Sequence, residues 1–184
     1  MTVGIHEGNT DFFFHKEAKE VANIFKSKNI FIDKPKELIL KNLNYDILHI
    51  ASHGYFNEQQ PLLSNILLNN RENITVQEIF ELKSNAKLVT LSCCESGLGV
   101  YNLGDELLGL TTALIYSGAS SIIVSLWAVN DLSTYELMCK FYRNLKNGMN
   151  KVEALQKSQN DIKQYSLYSN PYYWAPFILI GNWE

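Results

Sequence analysis

The chain has 184 residues, 46% of them hydrophobic, 12% aromatic and 19% charged, which suffices for one domain with a sizeable core and is too apolar for a disordered tail. A net charge of −3 argues against a general phosphate-binding surface, so nucleic acid is not an expected partner. No apolar run approaches the roughly 18 residues of a membrane span, so no membrane contact is expected either. The opening MTVGIHEGNTD lacks the basic and apolar regions of a signal peptide. The chain has three cysteines, which cannot all pair within it. Two of them, Cys93 and Cys94, are adjacent, and neighbouring Cβ atoms on an extended chain point apart. Free thiols in a reducing cytoplasm are the simpler expectation.

In chain order, Ala18, Val21, Ala22 and Phe25 recur at helical spacing. Residues 29–32 form a weak strand, and Pro35 suits the first turn of a short helix through Leu43. Residues 46–51, 86–91, 121–127 and 176–180 are near-continuous apolar runs, the pattern of strands covered on both faces. Residues 54–73 are polar, carry Pro61, and are expected to cross the surface as a loop. Thr75 and Glu78 read as a capping box. A helix is expected over 105–116, ending near Gly118. Ser133 and Glu136 read as a second capping box, opening a helix with Leu137, Met138, Phe141 and Leu145 on one side and Gly148 as its stop. A last helix covers 150–165, with Val152, Leu155 and Ile162 inward. Strands alternating with helices imply a mainly parallel α/β sheet.

In such sheets ligands bind beyond the carboxyl ends of the strands. One strand runs into Ser52-His53-Gly54 and the next into Ser92-Cys93-Cys94-Glu95. Strands joined by a crossover are often neighbours, which brings a histidine and a cysteine to one edge. That pairing is the minimum for thiol nucleophilic catalysis: imidazole can take the thiol's proton and return it to a leaving amine. Gly54 and Gly97 leave room for a substrate backbone, and backbone N–H groups after a strand can hold an oxyanion. His49, inside the strand, reads as a satisfied core histidine. A zinc site of His49, His53 and a cysteine is conceivable, but the spaced cysteine pairs of strong zinc motifs are absent from the sequence.

Four ordered segments, DILHIASHGYFN, LVTLSCCESGLG, GLTTALIYSGASSIIVSLWAVND and PYYWAPFILIGNW, resemble the signature segments of CHAT domains. These are caspase-like cysteine peptidases related to caspases, separases and gingipains. The resemblance runs from about residue 46 to 183, more weakly from about 17. It implies an α/β caspase-like fold, a mainly parallel sheet with helices on both faces, lacking the family's N-terminal strand. Residues 1–184 would then be a single CHAT domain, shortened at its N-terminus or part of a larger protein, with Phe12-Phe13-Phe14 as an apolar patch that has lost its cover.

The implied activity is hydrolysis of a peptide bond in a protein partner by a Cys94–His53 dyad. Cys94 aligns with the family's nucleophile and Cys93 with a position that is usually small. The backbone amides of Gly54 and Cys94 would hold the oxyanion, with no metal or organic cofactor. Glu95, Glu106 and Asp131, with Tyr55 and Trp127, fall in family-like segments and could line the substrate pocket. An acidic wall there would favour a basic residue before the scissile bond. The competing reading makes Asp131 the cap of the helix beginning near Ser133, gives Glu106 to the first turn of its own helix and leaves the aromatics to packing. Family resemblance also implies a regulatory helical-repeat region or partner protein outside this chain, and a bacterial signalling or defence setting. The alternative function is a non-catalytic protein-interaction module on the same fold.

Overall fold

The apolar runs form the middle of one sheet. A computed structural model describes residues 2–4, 12–27, 29–30, 36–37, 39, 45–57, 59–69, 72–95 and 103–184. Its elements begin with β1 (Thr2–Gly4), α1 (Phe12–Ile24), β2 (Asn29–Ile30) and β3 (Ile47–Tyr55). There follow β4 (Asn65–Asn69), β5 (Glu72–Thr75), α2 (Val76–Phe80) and β6 (Leu88–Glu95). The chain continues through α3 (Leu103–Tyr116), β7 (Ser121–Ser125), α4 (Asp131–Lys146), α5 (Lys151–Lys163) and β8 (Phe177–Gly181).

The sheet runs in the order β2-β1-β3-β6-β7-β8. All of these pairings are parallel except the last, where β8 closes the edge antiparallel to β7. β1, which sequence reading leaves out, fills the slot between β2 and β3. β2 is shorter than the expected 29–32. The helix expected from Pro35 lies largely outside the described residues, within which Lys36, Glu37 and Ile39 are helical.

Each face of the sheet is covered, which is why its strands are apolar throughout. Leu48 and Ile50 of β3, Val89 and Leu91 of β6, and Ile122 and Val124 of β7 pack with α2, α3 and the β4–β5 hairpin. Residues of the opposite parity, such as Leu88, Ile123 and Phe177, meet Val21 of α1, Phe141 of α4 and Ile162 of α5. Fully burying a side chain of this size is worth about 1.5–3 kcal/mol, so these two layers dominate the fold's stability. Phe14 is also buried, at 2% exposed, so it is not uncovered. Its place on α1, with Ala18 and Val21 at helical spacing, turns it inward.

Three further expectations need correction. The surface loop expected over 54–73 contains the β4–β5 hairpin. Ile66, Leu68 and Ile74 are buried, an alternating pattern hidden between asparagines. The cap of α4 is Asn130, whose side chain accepts from Ser133 N–H, so Ser133 lies inside the first turn rather than ahead of it. Val152 is 45% exposed because the inward stripe of α5 runs through Ala154, Leu155, Ser158 and Ile162. The Thr75–Glu78 capping box forms as expected, with Thr75 Oγ1 accepting from Glu78 N–H at 3.1 Å and Glu78 Oε2 accepting from Thr75 N–H at 2.9 Å. Gly118 ends the α3 turn at φ +110°, where a Cβ would sit 2.2 Å from Ser84 O, so only glycine fits.

Candidate active site

β3 and β6 both run past the ends of their apolar stretches, to Tyr55 and Glu95 instead of 51 and 91. Pairing sustains them there, because β6 flanks β3 on one side and β4 takes up Gly54 and Tyr55 on the other. The Ser52 hydroxyl donates to Leu67 O, tying that hairpin to β3. The candidate residues therefore stand on the carboxyl ends of adjacent parallel strands rather than in the turns beyond them. In the ladder His53 is the direct partner of Cys94, and Gly54 of Glu95. Adjacent strands lie about 4.8 Å apart, so the two candidate positions are backbone neighbours. The side chains of Cys93, Cys94, Glu95 and Glu106, and all of Gly97, lie outside the described residues.

His53 is half-buried, and its ring meets that of Phe14 edge-on, with centroids 4.8 Å apart and planes at 83°. The same ladder pairs His49 with Thr90 deeper in the sheet. There His49 is fully buried, with Nε2 2.9 Å from Glu17 Oε1 and Nδ1 3.1 Å from the Tyr142 hydroxyl. That hydroxyl donates to Thr90 Oγ1 at 2.7 Å. His49 is thus a core histidine hydrogen-bonded at Nδ1, while its Nε2 meets Glu17 as a close ion-pair contact without hydrogen-bond alignment. Burial pushes the Tyr142 phenol far above its ordinary range, so it stays a neutral hydrogen-bonding group.

The remaining candidates are scattered. Tyr55 ends β3 and is 60% exposed. The Trp127 indole N–H donates to Tyr172 O at 3.3 Å, which commits it to the turn before β8. Asp131 occupies the first turn of α4, one residue inside the Asn130 cap, so it is not the capping residue its competing reading made it. Sequence reasoning gives Glu17, Thr90 and Tyr142 no role and takes Phe14 for part of an uncovered patch. Only Glu17 leaves a trace in the sequence, as a carboxylate on the apolar stripe of α1 beside Ala18 and Val21.

Cys139 is buried on α4. Its thiol is pushed up to about 12 by burial and then by the negative field of Glu17, with Arg143 pulling the other way. A higher pKa leaves less thiolate at neutral pH, partly offset by the greater nucleophilicity of a more basic thiolate. Cys139 is expected to react with iodoacetamide at pH 7.5 at least about 30-fold more slowly than in the denatured chain. Peptide mass spectrometry of timed samples checks this; equal rates in the folded and denatured chain would contradict it.

A family model described as the CHAT domain matches residues 13–182, from α1 through β8. The chain belongs to the CHAT-domain family. It therefore has the caspase-like α/β fold of a domain related to cysteine peptidases. Among curated proteins, the human tetratricopeptide repeat protein 28 is 32% identical over 133 residues, covering 72% of this chain and 5% of that protein. The mouse protein of the same name is 30% identical over 109 residues, covering 59% of this chain and 4% of that protein. The chain thus spans only a small part of the length of these relatives. No helix among the described residues is long and apolar enough to cross a membrane.

Proposed function

We propose that this CHAT domain is a cysteine endopeptidase that cleaves a specific protein partner through Cys94 and His53. The observation that carries this reading is the direct pairing of His53 with Cys94 at the carboxyl ends of adjacent parallel strands. Cys94 Sγ, as thiolate, attacks the scissile carbonyl carbon. The oxyanion that forms is held by the backbone amides of Gly54 and Cys94. The C–N bond breaks, the leaving amine takes a proton from His53, and a thioester remains on Cys94. His53 then takes a proton from water. The hydroxide attacks the thioester, and C–S cleavage returns the thiolate and releases the acid. This sequence uses no metal or organic cofactor. Tyr55, Glu95, Glu106, Trp127 and Asp131 are the proposed pocket, with its acidic groups favouring a basic residue before the cut.

Tetratricopeptide repeats appear in the names of both mammalian relatives. By analogy we place this CHAT domain in a longer protein, regulated by a helical-repeat region or a partner that carries one, and working in the reducing cytoplasm. The test is labelling by a library of peptide acyloxymethyl ketones, with the modified residue located by mass spectrometry. Labelling at Cys94, lost in His53→Ala, supports the peptidase. Failure to label Cys94 in either this chain or its intact parent would favour the interaction module instead.

A further inference from the structure

We infer that Phe14 is a positioning residue for His53, and that the buried chain Glu17–His49–Tyr142–Thr90 holds α1 in the place that lets it act. The assignment of His53 to catalysis rests on the function proposed above; the packing argument does not.

Helix α1 touches β3 at two levels. Near its start, the Phe14 ring abuts His53 at 4.8 Å. One turn further on, Glu17 reaches His49 at 2.9 Å. The helix therefore runs against the strand direction, and the two contacts together set its position along β3. The lower contact continues through Tyr142 of α4 to Thr90 of β6. His49 and Thr90 are ladder partners, as His53 and Cys94 are, four residues nearer the carboxyl ends. The network thus joins α1 and α4 to the two strands that carry the proposed dyad.

A wholly buried carboxylate–imidazole contact is weak grounds for stability, since apolar residues of similar volume often do as well. Its distinguishing property is direction. An apolar contact tolerates sliding and rotation, whereas here the Tyr142 hydroxyl bonds Nδ1 of His49 and the Glu17 carboxylate is drawn to its Nε2 as an ion-pair contact, so the pair is specific to those atoms though only the Tyr142 contact is aligned as a hydrogen bond. Both Phe14 and Glu17 are almost wholly buried, at 2% and 1% exposed. With α1 fixed in this way, the Phe14 ring, packed perpendicular to the imidazole, restricts rotation of His53. Phe14 has no proton to give, so it acts through His53 alone.

An edge-to-face aromatic contact favours the held ring position by a factor of about 2 to 12. The experiment compares the full chain with its Phe14→Leu and Glu17→Gln variants. Cooperative denaturation shows which of them fold. Carbon-13 relaxation at the Cε1 of His53 reads ring order, and mass spectrometry reads the rate at which chloroacetamide modifies Cys94 at neutral pH. Phe14→Leu is expected to lower the ring order of His53 and to slow modification of Cys94 by about 2- to 12-fold. Glu17→Gln is expected to move both in the same direction by a smaller factor. A folded Phe14→Leu variant with His53 as ordered as in the parent overturns the inference. If Phe14→Leu does not fold, Glu17→Gln decides by the same measure. Loss of ring order in a chain whose Cys94 is no more reactive than an ordinary thiol sustains the positioning role and removes the peptidase reading, so the two can fail separately.

Discussion

Cys94→Ala is expected to reduce cleavage of the partner protein to background, and His53→Ala to slow it by about 10³-fold or more. The thiolate is the only group in the proposed scheme that can form the acyl intermediate, so its loss removes the covalent route entirely. Loss of His53 leaves the nucleophile in place without a proton donor for the leaving amine. The double variant is expected to be no worse than Cys94→Ala, because residues acting as one unit are not additive. Cys93→Ala is the control. It alters the neighbouring ladder position, opposite Ser52, and is expected to cleave at close to the parent rate. The measurement is single-turnover cleavage followed by mass spectrometry, with each variant's fold checked by circular dichroism. Full cleavage by Cys94→Ala, or equal losses in Cys93→Ala and Cys94→Ala, would remove Cys94 from the role of nucleophile.

The parts of the fold legible in the sequence are those set by burial on both sides of a strand. The runs around Leu48, Val89, Ile122 and Ile178 are apolar throughout because helices cover both faces. The ends of β3 and β6 were less legible. Ser52, His53 and Gly54 look like a turn, yet they remain in a strand because β6 and β4 flank them. The β4–β5 hairpin escaped for a related reason. Its inward residues Ile66, Leu68 and Ile74 are few, and the asparagines between them read as loop. The Thr75 cap was readable because both partners lie within four residues, whereas Asn130 was passed over for Ser133, which offers the same local signal three residues later.

The proposed dyad could be named because strand order brings a histidine and a cysteine to one edge and the resemblance to CHAT domains singles out Cys94. What surrounds them could not. Phe14 meets His53, Glu17 meets His49 and Tyr142 meets Thr90 across long stretches of chain. Sequence periodicity shows which side of a helix turns inward, not which strand residue it finds there. The pocket residues suffered from the opposite problem. Trp127 and Asp131 sit in family-like segments, but each also has a local task, the one bonded to Tyr172 and the other in the first turn of α4.

His49→Leu is expected to destabilise the domain by about 3–5 kcal/mol, because it leaves a buried carboxylate without its partner. Glu17 is 1% exposed, so water cannot replace the imidazole without opening the contact between α1 and β3. Tyr142 loses a partner too, but it still donates to Thr90 and is left the less exposed to penalty. The double variant Glu17→Leu/His49→Leu removes both polar groups, and is expected to recover to within about 1–2 kcal/mol of the parent. Urea denaturation of the two single variants and the double closes the cycle and isolates the coupling. A single His49→Leu as mild as the double would mean that Glu17 finds another partner when the imidazole is gone. The double variant also separates the two properties the network could serve. If it serves stability alone, a recovered double variant should hold His53 as the parent does. If the directed contacts set the place of α1, the double variant should be stable and yet leave the His53 ring less ordered, because two leucines can fill the same space without fixing where Phe14 sits.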